Sequence, residues 1–271
     1  MRMAWRLMGA LSISALSWQS LAADIPVDLE LVLAIDVSGS IDEEEAQLQR
    51  EGYVEALVDR EVLAAIRSGM TGRIAVAYIE WSNAEMQRVV VDWRVIDGES
   101  SARDFVAALK ANPPMRGRFT SISGAVDFAV PMFDGNGFAG TRRAIDVSGD
   151  GPNNRGRRIT EARADAIARG ITINGLPIIN DRPNFFGRPM ANLDEYYRDC
   201  VIGGPGALYV IAKDFHAFAE AIRRKLILEI SGIEPPPEEG PRLLQFVADE
   251  RTPAICDAGE NEFRGRFNQY R

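Results

Sequence analysis

Residues 29–35, Leu-Glu-Leu-Val-Leu-Ala-Ile, form a nearly continuous apolar run that ends at Asp36. Such a run is the pattern of a strand covered on both faces, which calls for a sheet with helices on either side. The rest of the chain alternates accordingly. Residues 42–66 show helical spacing, with Tyr53, Val54, Leu57, Val58 and Val62 on one face and an acidic first turn that complements the helix dipole. Residues 73–81 and 87–96 read as strands joined by the short link 82–86, a hairpin that brings one antiparallel strand into the sheet. Helices are expected over 101–111, stopped by Asn112-Pro113-Pro114, and over 121–133. Strand 143–147, helix 159–169, strand 171–178, a last strand 208–212 and a last helix 214–230 complete the series. The fold class is α/β: a doubly wound, mostly parallel central sheet with helices on both faces and one antiparallel edge strand.

The first 22 residues have the composition of a secretory signal peptide. Arg2 and Arg6 precede a 12-residue apolar run, 7–18, and Ser20-Leu21-Ala22 supplies small residues before a cut that leaves Ala23 first. That run is too short for a membrane span of roughly 20 residues, and no other stretch is long and apolar enough. The expected location is the periplasm or the exterior, with no transmembrane segment in the mature chain. The domain expected over 23–231 is followed by a Pro-rich linker and tail, 232–271, opening with Glu234-Pro235-Pro236-Pro237-Glu238-Glu239. Export also changes how Cys200 and Cys256 read. They are the only cysteines, and an oxidising compartment favours a disulfide between them over two free buried thiols. The net charge of -8 disfavours nucleic acid and anionic membranes as partners and suits a bound cation or a basic counterpart.

In an open α/β sheet, ligands bind beyond the carboxyl ends of the strands. Three loops at that edge carry oxygen-bearing side chains. Asp36-Val37-Ser38-Gly39-Ser40 follows the first buried strand, and its alternation lets one tight turn aim three oxygens at a point. Thr120 stands between a Gly-containing loop and a helix, and Asp150 lies just past a later strand. Two carboxylates and three hydroxyls make a hard-oxygen set that selects Mg²⁺, with Ca²⁺ or Mn²⁺ as substitutes, over Zn²⁺ or Cu²⁺.

Asp36-x-Ser38-x-Ser40, Thr120 before Ser121-Ile122-Ser123-Gly124-Ala125, and Asp150-Gly151 together resemble the metal-ion-dependent adhesion site (MIDAS) of von Willebrand factor type A (VWA) domains. The resemblance covers residues 29–230 and is closest to an exported bacterial branch of VWA-like proteins. It implies that Ser38, Ser40 and Thr120 contact the metal, that Asp36 and Asp150 hold its waters or bind directly, and that a partner's Asp or Glu takes the open position. The third loop departs from the family pattern, with Gly149 where a Thr is usual.

Each piece also has a plainer reading. Ser40 or Asp42 can cap the next helix, Thr120 can be an N-cap, and Asp150 can be a turn residue. Asp146, in an echo of the first motif, competes with Asp150, but Asp150 is preferred because it lies beyond the strand and precedes a Gly. His216, the only histidine, reads as a surface or packing residue. Gly149 to Gly156 lacks the ending of a phosphate loop. Arg155, Arg157 and Arg158 read more naturally as a solvated helix entry than as a greeting for an acidic partner, and Phe185, Phe186, Tyr196 and Tyr197 as core rather than rim. The leading expectation is a metal-dependent protein-binding module without enzymatic activity. A metal-dependent phosphohydrolase and an envelope scaffold with a structural metal are the alternatives.

Overall fold

A computed structural model describes residues 23–179, 189–214, 217–232 and 256–259. The expected leader 1–22, the Pro-rich linker, Phe185, Phe186 and His216 lie outside them. The central sheet has five strands in the order β4-β3-β2-β6-β7. These are β2 (Leu29–Asp36), β3 (Ile74–Trp81), β4 (Gln87–Ile96), β6 (Arg143–Gly149) and β7 (Thr172–Pro177). All neighbours are parallel except β3 and β4, so β4 is an antiparallel edge strand reached by a hairpin.

All eight residues of β2 are buried, because helices cover both faces of the sheet. On one face Leu31, Leu33 and Ile35 pack with Tyr78 and with α1 (Glu43–Leu57), α2 (Arg60–Arg67), α3 (Glu99–Lys110) and α7 (Phe218–Ser231). On the other, Val32 and Ala34 pack with Ile79, Trp81, α4 (Ile122–Ala129) and α5 (Ile159–Ala168), and with the aromatic residues of α6 (Leu193–Tyr196) and the π-helical turn Tyr197–Val201 that follows it. The chain leaves β2 toward β3 on one side and later returns to β6 on the other. The carboxyl ends of β2 and β6 therefore flank the crevice where the winding direction reverses, the place where such sheets bind ligands.

Three features differ from expectation. The helix foreseen over 42–66 is two helices, because the Asp59 carboxylate accepts from the backbone of Glu61 at 2.8 Å and Val62 at 3.3 Å and starts α2 afresh. The last strand, 208–212, shrinks to two isolated parallel bridges, Gly175 with Tyr209 and Ile178 with Ala212. Gly175 donates to Leu208 and Ile179 to Ala212, but the residue between them that should donate is Pro177, which has no N–H, so the ladder breaks there. A small parallel pair, β1 (Ile25–Val27) with β5 (Phe138–Gly140), was not foreseen, three residues being too few to show a period.

Candidate metal centre

The first loop begins where β2 ends. Asp36 is buried, and its Oδ1 accepts from the backbone of Ser38 at 2.7 Å, which closes the tight turn. The hydroxyls of Ser38 and Ser40 lie 3.1 Å apart, and Ser40 Oγ donates to Asp150 Oδ1 at 2.6 Å. First and third loops are thereby joined across the crevice. Ser40 is not a cap: Asp42 caps α1, accepting from Glu45 at 2.9 Å while the Glu45 carboxylate accepts from the Asp42 backbone at 2.9 Å.

The second loop is sewn to both others. Gly117 donates to the Val37 carbonyl at 2.8 Å, and the Thr120 carbonyl accepts from the backbones of Asn154 and Arg155 at 2.8 and 3.2 Å. The Thr120 backbone in turn donates to Asn154 Oδ1 at 3.0 Å. Ser121, not Thr120, caps α4, leaving the buried Thr120 hydroxyl without a capping role; a Cβ on Gly151 would lie 3.9 Å from it. The start of this loop is held from below. Buried Glu80 pairs with Arg50 and, at 2.7 Å, with Arg88, and accepts from the Met115 backbone at 2.8 Å.

The sequence prefers Asp150 to Asp146 as the acidic ligand, because Asp150 lies beyond the strand and precedes Gly151. β6 runs through to Gly149, so Asp146 sits mid-strand on the α7 side, paired with Lys225 Nζ at 2.5 Å. Asp150 lies past the strand end, beside Ser40. The arginines separate too: Arg157 pairs with Asp127 and Asp165, both at 2.6 Å, and Arg158 with Asp257 at 3.1 Å. The Arg155 guanidinium lies over the Phe119 ring, 4.2 Å from its centroid.

Tyr196 and Tyr197 are buried, in line with the core reading, and they also border the site, the rim position that the sequence reading set second. The Tyr196 hydroxyl accepts from the Asn153 backbone at 3.1 Å, three residues past Asp150. Cys200, on the same turn, is bonded to Cys256, with their Cα atoms 5.4 Å apart.

The electrostatics favour a cation. Burial and the nearby Asp150 charge push the Asp36 carboxyl well above the usual carboxylate range. Burial pushes Asp150 up to about 6; the Ser40 hydroxyl bond opposes the rise and the Glu45 charge adds to it. Asp36 Oδ2 is buried with no hydrogen-bond partner among the described residues, and among them neither Asp36 nor Asp150 pairs with a Lys or Arg. Among the described residues no group of three or more His, Cys, Asp or Glu side chains is arranged to hold a metal ion, so a cation here depends on hydroxyl oxygens as well as on the two carboxylates. A small hard ion fits that donor set.

The family model described as protein of unknown function, DUF1194, matches residues 26–234. The chain belongs to DUF1194. No curated protein matches it. Among solved structures, this DUF1194 chain is similar to proximal thread matrix protein 1 from the mussel byssus, at 14% identity and a TM-score of 0.54 over 78% of this chain and 49% of that one. It is also similar to a von Willebrand factor type A protein from Catenulispora acidiphila, at 15% identity and a TM-score of 0.53 over 77% and 44%. A third is the pilus adhesin SpaC from Lactobacillus rhamnosus GG, at 14% identity and a TM-score of 0.52 over 78% and 32%. The chain spans less than half the length of each. Another structure of the mussel protein has a zinc-occupied MIDAS motif. At these identities the likeness concerns the fold alone, and the fold of this chain is of VWA type.

Proposed function

We propose that this chain is an exported, divalent-metal-dependent protein-binding module of adhesion type, and not an enzyme. In this reading residues 23–231 form the binding domain, and residues 232–271 a linker and tail. Ser38, Ser40 and Thr120 hold the ion through their hydroxyls, and Asp36 and Asp150 hold its waters or bind it directly. Mg²⁺ is the preferred ion, with Ca²⁺ or Mn²⁺ as substitutes. Neutral direct ligands leave the ion much of its charge, so it attracts an Asp or Glu from a partner protein.

The observation that carries the reading is the meeting of two buried carboxylates, without a Lys or Arg partner among the described residues, with the serine hydroxyls at the crevice between β2 and β6. The adhesin and the zinc-bearing MIDAS among the VWA-type neighbours are in keeping with it. So are the arginines beside the second loop: Arg116 and Arg118 are exposed, and Arg155 stands over Phe119, a setting that suits an acidic partner segment. Among the described residues no helix is long and apolar enough to cross a membrane. The periplasm or the exterior is the proposed location.

The test is calorimetric titration of the chelator-stripped mature chain with Mg²⁺, Ca²⁺ and Mn²⁺, beside Asp150→Ala. Saturable binding that the variant loses, followed by Mg²⁺-dependent binding of Asp-containing peptides that Asn versions do not show, supports the proposal. A folded wild type that binds none of the three ions overturns it. Metal binding without any carboxylate preference would leave the ion a structural role and favour the scaffold reading.

A further inference from the structure

Gly149 stands where the VWA pattern usually has a threonine, and the structure shows what occupies the space. A Cβ added to Gly149 would lie 2.9 Å from Asp36 Oδ2 and 2.9 Å from the Tyr197 hydroxyl oxygen. The carboxylate and the phenol therefore border the same gap from different parts of the fold. Both oxygens are buried, and both lack a hydrogen-bond partner among the described residues. On the adjacent strand, a Cβ on Gly175 would come within 2.7 Å of the Tyr197 ring, so two glycines of β6 and β7 make room for this side chain.

A phenylalanine would fill the same slot without stranding a hydroxyl in the interior, where an unpaired polar group is unfavourable. The turn that delivers Tyr197 is also firmly held. Cys200 ties it to Cys256, the Tyr196 hydroxyl accepts from Asn153, and Arg163 donates to the Asp199 carbonyl at 2.8 Å. Meanwhile Asp36 Oδ1 is already engaged by the Ser38 backbone, leaving Oδ2 as the oxygen that needs a donor.

We infer that Tyr197 is a positioning residue of the metal site: with the ion bound, its hydroxyl, unpartnered in this structure among the described residues, donates across the gap at Gly149 to Asp36 Oδ2 and fixes that carboxylate, in place of any side chain from position 149. The inference rests on the metal-binding reading above. It assigns to the π-helical turn a fourth wall of the site, beside the three loops.

The test is Tyr197→Phe in the full mature chain with its disulfide intact, titrated with Mg²⁺ by calorimetry and melted both in chelator and at saturating Mg²⁺. The expected result is Mg²⁺ affinity weakened about tenfold, as for a lost hydrogen bond to a charged group. In chelator the variant should melt at the wild-type temperature or above, because it removes an unpartnered hydroxyl. Equal affinities within twofold, with a wild type that binds, would overturn the inference alone and leave the metal site standing. A variant that melts earlier in chelator and by the same amount at saturating Mg²⁺ would make the hydroxyl merely structural, overturning it also. A wild type that binds no Mg²⁺ would overturn the metal reading and this inference together.

Discussion

Replacing Glu229 with glutamine should abolish a stability slope between about pH 4.5 and 7. Glu229 is enclosed between α7 and the sheet. Its Oε2 pairs with Lys225 Nζ at 3.1 Å, its Oε1 accepts from Asn174, and Asp146 reaches the same ammonium at 2.5 Å. Two carboxylates thus share one cation out of contact with water. Burial, reinforced by the Asp146 charge and opposed by Lys225, raises the Glu229 carboxyl from its usual 4.5 to about 7. Between those values the folded chain keeps a proton that the unfolded chain has released. The associated stability is complete below about pH 4.5 and is lost as pH rises through about 7. At about 1.4 kcal/mol per pH unit, the loss across the window is roughly 3 kcal/mol. Glutamine has no proton to lose there. Urea unfolding of both proteins in steps from about pH 4.5 to 8 gives the wild-type-minus-variant difference. Asp36 and Asp150 are also raised, but they are common to both proteins and cancel. A difference that falls by roughly 3 kcal/mol is expected; one that stays flat would refute the reasoning.

Lys225→Met should cost about 3–5 kcal/mol near pH 8 in urea unfolding, because it leaves Asp146 and Glu229 buried without their cation, and less near pH 5, where Glu229 is protonated. Cys256→Ser frees a crosslink spanning 56 residues and should lower stability by up to about 4 kcal/mol, read as an earlier thermal transition that reductant no longer moves. Asp59→Ala removes the cap of α2 and should cost about 1 kcal/mol in urea, leaving Mg²⁺ titration unchanged.

The sheet was legible because its central strand is buried on both sides, and a chain cannot disguise so continuous an apolar run. The three site loops were legible for a related reason: each follows a strand or precedes a helix that the pattern had already located. What escaped notice depended on residues far apart in sequence. The break after α1 was masked by Val58 and Val62, which carry the apolar stripe across it, although Asp59 itself was a visible cap. The incomplete pairing of residues 208–212 was decided by a proline on the neighbouring strand. Asp150 was preferred to Asp146 from the strand end and the following Gly151, but the pairing of Asp146 with Lys225, far along the chain, had no local sign. Tyr196 and Tyr197 could be read as buried, but their approach to Asp36 and Asn153 is tertiary and has no local sign.

The antiparallel strand β4 is the long open margin of the sheet, and its pairing with β3 slips twice, between Val76 and Tyr78 and again between Tyr78 and Ile79. Extra residues on β4 at these slips kink it and interrupt the even row of backbone groups that a further strand would need. Asp92 and Arg94 project into solvent from the same strand. A kinked, charged margin is a poor template for another chain, so neighbouring copies at high local concentration are discouraged from zipping into extended aggregates along it.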